Sequence, residues 1–469
     1  MATWDERVDV VVVGSGAAGL SAAIEAGHAG ASVVVLEKMR GMGGNTRISD
    51  GSLAAPGNHL QKAVGIEDSP DLFYDDMLRA GLGLNHPHLV RTVAERAAEA
   101  VSWTIDVLGV EYLDRLDRFG GHSVARALTT VNHVGADITR AQRAELKRMG
   151  VEIRTGCLMT SLRRDVGGAV DGVEIREGYQ FGEPDSGSVR HIRAGGGVVL
   201  ATGGFGNDVG FRALQNPVLG ASVASTNHRG ATAEGLVAAM SIGAVPVHLS
   251  FIQTGPWGCP DETGYGHGAR FASYSLYPTG ILVDPATGSR IVSEWADRKR
   301  RTDAIFKTGH ICVGIVDAKG AEKDPGSLER SLRRGKIKAF DNLTDLAAAY
   351  GMPPGRLETT VASYNDRVLA REPDELGKPL DRGDALPLEA PPYYGLRIWP
   401  KVHYTVGGVG IDSYARVLDL RGRPIPGLFA AGEVCGGVHG ASRLGSCALT
   451  DCVVFGRIAG QQAAAAVRS

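Results

Sequence analysis

The stretch VDVVVVGSGAAGLSAAIEAGHAGASVVVLE, residues 8–37, decides the fold of the N-terminal part of the chain. Its pattern is an apolar strand, a glycine-rich turn, a helix and a second apolar strand that ends in Glu37. In such a unit Gly14 makes the turn, Gly16 lets the backbone approach a pyrophosphate, and Gly19 lets helix and strand pack closely. Glu37 can accept a hydrogen bond from a ribose hydroxyl. The stretch therefore predicts a dinucleotide-binding βαβ unit.

A second glycine-rich loop, with Gly41, Gly43 and Gly44, follows shortly after Glu37. This loop helps to choose between the two candidate cofactors, NAD and FAD. The first motif alone fits either NAD or FAD. A second loop that keeps the backbone close to a long ligand favours FAD. The start of the first helix supplies unpaired N–H groups and a positive dipole end for the phosphates.

Composition sets outer limits on function. The chain has 469 residues, of which 43% are hydrophobic, enough for two domains with their own cores. A net charge of −2 gives no reason to expect a nucleic-acid partner. Six scattered cysteines show no metal, haem or iron–sulfur spacing, and no apolar run is long enough for a membrane span. We expect no metal, no membrane association and a cytoplasmic protein; oligomeric state stays open.

Two further glycine-punctuated strands, near Thr202-Gly203 and before Gly432-Glu433, read as members of the same sheet. Between these two strands, over residues 245–384, the sequence becomes richer in aromatic and polar residues. We predict an α/β fold: a discontinuous Rossmann-like FAD-binding domain, a parallel sheet with helices, over residues 1–244 and 385–469. Residues 245–384 are predicted to form an inserted α+β domain. A basic run in this segment, Arg298-Lys299-Arg300-Arg301, is interpreted for at least two of its residues as a solvated helix face.

His403 and Arg443 lie in glycine-dense segments near the C-terminal end. A guanidinium and a neutral donor held by tight loops suit a bound carboxylate. Taken singly, each residue favours a structural interpretation: a salt bridge at a helix start for Arg443 and a hydrogen-bonded core histidine for His403. The accompanying flavin fingerprint favours the functional interpretation.

Several motifs carry a family resemblance, and they span nearly the whole chain. They are the segment 14–38, GMGGNT (41–46), ATGGFGND (201–208), TNHRGATAEG (226–235), HYTVGGVGID (403–412), PIPGLFAAGEVCGGVHGASRLG (424–445) and ALTDCVVFGRIAG (448–460). In this order they resemble the soluble fumarate reductase and succinate dehydrogenase flavoprotein family, which includes urocanate reductases and 3-ketosteroid dehydrogenases.

The resemblance implies that residues 245–384 are a capping domain that closes over a substrate beside the flavin, with hydride transfer at flavin N5. Within it, His403 and Arg443 match the carboxylate-binding pair, and Arg298 matches the arginine that donates a proton. The cofactor is expected to be non-covalent FAD, because the local motif for histidine attachment is missing. The predicted FAD-binding residues are Gly14, Gly16, Ala17, Ala18, Gly19, Glu37, Lys38, Gly44, Asn45, Thr46, Gly51, Thr202, Gly203, Gly432, Glu433, Ser446 and Leu449.

The sequence departs from the fumarate reductases of this family at two places. Tyr274 and Tyr277 stand where those enzymes carry a Glu and an Arg that relay protons to the donor. Gly255 stands where they carry a histidine for the far carboxylate. Loss of that partner makes fumarate a poor substrate. Room at Gly255 and the neighbouring aromatic residues, Trp257 among them, suggest a bulkier and even cyclic substrate.

Three functions remain open on this basis. The first is an FAD-dependent oxidoreductase acting on a C–C single or double bond beside a carboxylate or ketone. The second is a 3-ketosteroid-dehydrogenase-like α,β-desaturase of a cyclic keto acid, such as an oxocyclohexanecarboxylate, with Tyr274 and Tyr277 as acid and base or as ordinary packing. The third is a non-catalytic flavin-binding or electron-relay protein. The partner is a small carboxylic or keto acid, and the electron donor or acceptor is open.

His122 could touch flavin or substrate, although a hydrogen-bonding loop histidine is the simpler interpretation.

Overall fold

The computed structural model describes residues 4–380 and 385–467. The chain divides into unit 1, formed by Met1–Gly220, His228–Ile252 and Tyr404–Ser469, and unit 2, formed by Ala221–Asn227 and Gln253–His403. The predicted domain ends at residues 1, 384 and 469 lie outside the described residues. The predicted capping segment, 245–384, overlaps most of unit 2, and its role as a cap stays a prediction.

The strands alternate with helices along much of the chain. They are β1 (Glu6–Val13), β2 (Val33–Glu37), β3 (Ser52–Ala54), β4 (Ala127–Thr129), β5 (Glu152–Thr155), β6 (Cys157–Arg164), β7 (Val170–Glu177), β8 (Ser188–Leu200), β9 (Pro246–Val247), β10 (Ile252–Gly255), β11 (Ile281–Asp284), β12 (Ser289–Arg290), β13 (Cys312–Val316), β14 (Ile337–Phe340), β15 (Tyr393–Ile398), β16 (Lys401–Thr405), β17 (Gly408–Val409), β18 (Arg416–Leu418) and β19 (Pro424–Ala430).

The helices are distributed over both units. They are α1 (Ala17–His28), α2 (Gly44–Ile48), α3 (His59–Val64), α4 (Pro70–Ala80), α5 (Pro87–Asp106), α6 (Ala136–Arg148), α7 (Val209–Gln215), α8 (Glu234–Ser241), α9 (His267–Phe271), α10 (Tyr277–Thr279), α11 (Arg298–Thr308), α12 (Ala318–Ala321), α13 (Pro325–Arg333), α14 (Leu343–Ala349), α15 (Arg356–Ala370) and α16 (Cys447–Ala465). Ala272–Leu276 is π-helical, and Pro217–Leu219 and Gly432–Val434 are 3₁₀ turns.

Unit 1 is built on a sheet with the order β18-β19-β8-β1-β2-β5, to which β7 and β6 are added beside β8. β1 is parallel to both β2 and β8, so Val10, Val11 and Val12 are fully buried. α1 packs against α16 at a glycine face, since a Cβ on Gly460 would lie 2.1 Å from the Ala22 carbonyl oxygen. The predicted α/β fold with a parallel sheet is confirmed.

Unit 2 contains a sheet with the order β12-β11-β13-β15-β14, in which the recorded pairings are antiparallel. Alternate residues of β13 enter two different cores: Cys312 and Val316 enter one, Val313 and Ile315 the other. β15 pairs with both β13 and β14, and residues 385–403 accordingly belong to unit 2. The sequence boundary missed this strand because the pairing is non-local.

Two boundary strands matter for the site. β10 and β16 pair with each other, and two of the four divisions between the units, after Ile252 and after His403, fall within these strands. Ala221–Asn227 runs beside β16, where the Thr226 amide donates to the Val402 carbonyl oxygen at 2.8 Å. Together these segments carry Gln253, Gly255, Thr226 and His403 within unit 2.

Candidate functional site

The glycine-rich turn of unit 1 has the geometry that a bound dinucleotide needs. Gly14 has φ +109°, and a Cβ there would lie 2.2 Å from the Ala201 carbonyl oxygen. A Cβ on Gly19 would lie 2.0 Å from the Gly14 carbonyl oxygen. A Cβ on Gly16 would meet one atom outside the adjacent chain within 4 Å among the described residues, the Thr46 hydroxyl oxygen at 3.7 Å, so no packing demand explains this glycine. A close approach of ligand to backbone explains it.

Glu37 ends β2 beside this turn. Its carboxylate accepts hydrogen bonds from the Ser15 hydroxyl at 2.6 Å, the Ser15 amide at 3.2 Å and the Met39 amide at 2.9 Å. The acid therefore also braces the glycine-rich turn. Because a carboxylate offers several lone-pair sites, these bonds leave capacity for a ribose hydroxyl.

A cavity in unit 1 collects most of the predicted cofactor residues. It is lined by Gly14, Gly16, Ala17, Ala18, Glu37, Lys38, Gly44, Asn45, Thr46, Thr202, Gly203 and Glu433, all predicted from sequence. The lining also includes residues that sequence reasoning did not assign: Met39, Cys157, Leu158, Met159, His228, Gly230, Ala231, Thr232, Glu234, Gly235 and Cys452. Residues 228–235 belong to the TNHRGATAEG motif, which was an available signal. Cys157–Met159 on β6 had no local motif.

A buried network fixes one side of this cavity. Glu433 accepts from the Thr405 amide at 2.9 Å and from the Asn45 side-chain amide at 3.3 Å. Asn45 also accepts from the His228 amide at 2.7 Å. Burial raises the pKa of Glu433, although the hydrogen bonds of Thr405 and Asn45 oppose the shift. Glu433 thus links Asn45 to β16, and Asn45 in turn is bonded to the 228–235 segment.

The remaining predicted cofactor residues do not line the described cavity. Gly19 serves packing, and Gly51 has φ +72° beside the Thr130 hydroxyl. Gly432 has φ +77° and packs against Ala18. Ser446 immediately precedes α16, and Leu449 lies in its first turn, as the sequence predicts. Contact of these residues with the cofactor stays a prediction.

Unit 2 brings His403 and Trp257 together. Their ring centroids lie 5.1 Å apart, with the rings nearly perpendicular at 82°. The Thr226 hydroxyl lies 2.8 Å from His403 Nδ1 and orients the imidazole. Tyr265, whose ring centroid is 6.2 Å away, contributes a further aromatic contact. His403 is therefore held by β16, the 221–227 segment and the loop after β10.

The expectation of added room at Gly255 is wrong. A Cβ on Gly255 would lie 2.9 Å from Cε2 of the Trp257 indole and 3.1 Å from its Nε1. Trp257 itself is buried, and its indole covers the position that a larger side chain at 255 would need. Sequence reasoning missed this because a glycine shows the loss of a side chain but not what packs in its place.

Arg298 is the first residue of α11, which Asp297 caps by accepting from the Arg300 amide at 3.0 Å. Its Nη1 donates to the Gln253 side-chain oxygen at 3.1 Å. Its guanidinium carbon lies 4.6 Å from the centroid of the Trp257 ring. Trp257 thus contacts both His403 and Arg298, which places a predicted carboxylate binder and the predicted proton donor on one indole.

Tyr274 and Tyr277, the tyrosines at the two predicted relay positions, lie in different environments. Tyr277 is buried and donates from its hydroxyl to the Pro256 carbonyl oxygen at 2.7 Å. Burial raises the pKa of Tyr277. This geometry favours the packing interpretation for Tyr277, because a hydroxyl engaged with a carbonyl and hard to ionise is a poor base. Tyr274 is half-buried in the π-helical turn, a local geometry frequent at functional sites.

Arg443 belongs to unit 1, whereas His403 belongs to unit 2. Arg443 is buried, donates to the Leu444 carbonyl oxygen at 3.0 Å and lies 4.7 Å above the Tyr404 ring. Tyr404 meets His439 edge-on at 5.7 Å, and His439 lies 3.3 Å from the Asp451 carboxylate. A buried aromatic and polar cluster thus surrounds the guanidinium.

Comparison with known proteins decides the family. The family model described as FAD binding domain matches residues 9–449. The acrylate reductase flavoprotein subunit of Shewanella woodyi is 42% identical over 97% of this chain and 91% of its own length. The urocanate reductase of Eggerthella lenta is 36% identical over 98% of this chain and 75% of its own length. The open conformation of a flavocytochrome c3 fumarate reductase superposes with a TM-score of 0.81 at 33% identity, covering 99% of this chain and 79% of that one.

The chain belongs to the fumarate reductase and succinate dehydrogenase flavoprotein family. Its predicted FAD cofactor is confirmed, as is its assignment as an enzyme. Like its relatives, this flavoprotein is an FAD-dependent oxidoreductase that acts on the C=C bond of carboxylate substrates. None of the helices of the described residues is both long and apolar enough to cross a membrane. The cytoplasmic location stays a prediction.

His122 of this flavoprotein is explained by structure alone. It is buried, and its Nε2 lies 2.9 Å from the Gly445 carbonyl oxygen. Arg126 donates to His122 Nδ1 at 3.0 Å and forms ion pairs with Asp68 and Asp76. Burial, assisted by the Arg126 charge, lowers the pKa of His122 to about 4. The interpretation of a hydrogen-bonding loop histidine fits this geometry.

Proposed function

We propose that this flavoprotein is a reductase of a small α,β-unsaturated monocarboxylate of the acrylate type. The observation that carries the proposal is the Trp257 indole, packed over Gly255 and in contact with both His403 and Arg298. The indole fills space that a larger substrate or a second carboxylate would require. The similarity to an acrylate reductase flavoprotein subunit supports the same substrate class.

Charge supports the preference for a monocarboxylate. The Trp257 Nε1 is buried and has no hydrogen-bond partner among the described residues, so it offers one neutral donor. A neutral N–H does not compensate a second negative charge in a site screened from water. Leaving one carboxylate of fumarate uncompensated costs about 2–3 kcal/mol. Acrylate, with a single carboxylate, avoids this cost.

In the proposed reaction, His403 and Arg443 bind the substrate carboxylate. Negative charge grows on this carboxylate and the adjoining α-carbon as the double bond is reduced, so a fixed guanidinium and imidazole stabilise the transition state more than the ground state. Bound FAD supplies hydride-transfer chemistry. The chain's own residues bind and polarise the acid and deliver the proton.

Arg298 holds that proton for the α-carbon. A guanidinium is a weak acid with a pKa above about 12, so its use as a donor requires a fixed position and an environment that disfavours its charge. Gln253 and the Trp257 ring fix it on two sides. The presence of Arg298, His403 and Arg443 together also disfavours a non-catalytic flavin-binding or electron-relay protein.

The desaturase of a cyclic keto acid is the weaker candidate. It needs a tyrosine that ionises readily, but the Tyr277 hydroxyl is buried and donates to Pro256. Tyr274 is then the tyrosine left for that role. The packing of Trp257 on Gly255 also leaves less space for a ring than the sequence suggests.

The test uses the FAD-loaded protein, reduced anaerobically and mixed with acrylate, fumarate, urocanate and a cyclic enoate. We expect acrylate to reoxidise the flavin fastest and fumarate to be slower by about 30-fold or more, which corresponds to the cost above. Faster reoxidation by fumarate or by the cyclic enoate would overturn the substrate assignment. Bleaching of the oxidised protein by a saturated cyclic keto acid would instead support the desaturase.

A further inference from the structure

A second arginine of the basic run is buried one helical turn after the predicted proton donor. Arg301 lies three residues after Arg298 on α11 and is 9% exposed. Its guanidinium carbon lies 4.3 Å from the centroid of the Tyr277 ring. By contrast, the side chains of Lys299 and Arg300 are 56% and 79% exposed. The solvated-face interpretation of the run therefore holds for Lys299 and Arg300 but not for Arg301.

The positive charge of Arg301 has no direct compensation. Among the described residues no carboxylate lies within 4.0 Å of its guanidinium, and its buried Nε has no hydrogen-bond partner. Burial lowers the pKa of Arg301. A buried cation without a counter-ion is unfavourable for stability, so its presence calls for a use other than packing.

The charged and titratable groups that face Arg301 are already engaged. Asp297 caps α11 and lies 3.8 Å from the Arg300 guanidinium. Glu294 pairs with Arg290 at 2.7 Å and with Lys378 at 3.5 Å. Tyr277 faces Arg301 as a neutral phenol whose pKa burial raises. The electrostatic field of the Arg301 guanidinium therefore acts on the side chains around it.

Arg298 is the neighbour through which this field can reach the chemistry. Residues three apart on a helix lie on one face, with Cβ atoms about 5–6 Å apart. Arg298 stacks on Trp257 and Arg301 on Tyr277, and the Tyr277 hydroxyl donates to the carbonyl of Pro256, the residue before Trp257. The two guanidinium groups thus rest on two aromatic rings, and the Tyr277 ring is hydrogen-bonded to the backbone of the residue before Trp257.

We propose that Arg301 is a positioning residue whose buried positive charge, which forms no ion pair among the described residues, makes Arg298 a stronger acid and holds the Tyr277 ring behind it. This inference rests on the proposed function, because it assumes that Arg298 delivers the proton. A like charge nearby disfavours the charged form of a group and so favours release of its proton. Arg301 itself need not touch substrate or cofactor.

The experiment compares Arg301→Met and Arg301→Lys with a control, Arg300→Met, which removes an exposed arginine from the same helix. Each variant is loaded with FAD, and enoate reduction is followed as a function of pH. For Arg301→Met we expect kcat at pH 7 to fall at least about 10-fold, KM for the enoate to stay within about twofold, and the alkaline limb of kcat to move up by about one pH unit. Arg301→Lys keeps a charge and should retain most of the activity, with an unshifted limb.

Several outcomes separate this role from a structural one. A kcat of Arg301→Met within twofold of the original protein, or an equal loss in Arg300→Met, would overturn the inference. The inference would also be overturned if kcat fell equally in Arg301→Met and Arg301→Lys while the alkaline limb of the pH profile stayed in place. If Arg301→Met does not retain FAD, Arg301→Gln takes its place, and an alkaline limb that does not move in that variant contradicts the proposal. Failure of the original protein to reduce any enoate would instead overturn the proposed function.

Discussion

The indole of Trp257 lies edge-on to the imidazole of His403, with ring centroids 5.1 Å apart, inside unit 2. The same indole covers Gly255 and carries the guanidinium of Arg298 on its face. One side chain thus occupies the position that a larger residue at 255 would need and also contacts the predicted proton donor. We therefore expect substrate choice and proton delivery to change together when Trp257 is altered.

Exchange of the Gly255 and Trp257 pair should move specificity toward a dicarboxylate. In Gly255→His/Trp257→Gly, the new imidazole has space and supplies a donor for a second carboxylate. The ratio of kcat/KM for fumarate to that for acrylate should rise by about 10-fold or more. Steady-state kinetics with both acids measures the ratio. Gly255→His alone should lose activity with both acids, because its Cβ would lie 2.9 Å from the indole.

Trp257→Gly is the matched control for this exchange. It removes the indole without supplying the imidazole, so acrylate reduction should weaken with no gain for fumarate. If the double variant reduces fumarate no better than Trp257→Gly, the exchange hypothesis is wrong.

Replacement of Arg298 should separate cofactor binding from turnover. Arg298→Met removes the proposed proton but leaves unit 1 and its cavity unchanged, so FAD content should stay the same. Turnover should fall by about 10²–10⁴-fold, the usual contribution of a general acid. Flavin absorbance and enoate-dependent reoxidation measure the two properties on one sample. Lys299→Met, which removes an exposed lysine paired with Asp303, serves as control; undiminished turnover in Arg298→Met would remove Arg298 from the mechanism.

Local sequence signals predicted the dinucleotide unit because its requirements are local. The run Val10–Val13 is buried between two parallel strands, and Gly14 has the positive φ that the turn needs. The packing of a side chain against residues outside its own motif was not predictable in the same way. Nothing in the sequence near Gly255 shows that Trp257 packs over it, and nothing in the basic run separates buried Arg301 from exposed Arg300.

Gly14 and Gly16 should respond differently to alanine, although both belong to one motif. Gly14→Ala places a Cβ 2.2 Å from a backbone oxygen at φ +109°, so unit 1 should fail to fold stably. Gly16→Ala meets only the Thr46 hydroxyl at 3.7 Å, so the apoprotein should keep its stability within about 0.5 kcal/mol. Its Kd for FAD should rise at least about 10-fold, because the methyl group occupies the path of the pyrophosphate. Urea unfolding and FAD titration test both halves; unchanged FAD affinity in Gly16→Ala would place the pyrophosphate elsewhere.

His122 should make the protein less stable in mild acid. Arg126 can only donate, so its bond to His122 Nδ1 fixes the neutral tautomer with the proton on Nε2, which donates to Gly445. The folded pKa of His122 is about 4, below the value of 6.5 for an unperturbed histidine. As pH falls from 6.5 to 4, the unfolded chain therefore gains a proton that the folded chain does not, and the free energy of unfolding should drop by about 3 kcal/mol.

His122→Gln isolates this contribution, since a glutamine amide can both accept from Arg126 and donate to Gly445 without titrating. Urea unfolding at pH 7 and pH 4.5 should show a smaller loss of stability in His122→Gln than in the original protein. The window lies above pH 4, where Asp76 keeps its charge: burial raises the pKa of Asp76, but hydrogen bonds from Ser123 and Arg126 outweigh it and lower the value. An equal acid loss in both proteins would mean that His122 is protonated in the folded state, and the neutral tautomer would be wrong.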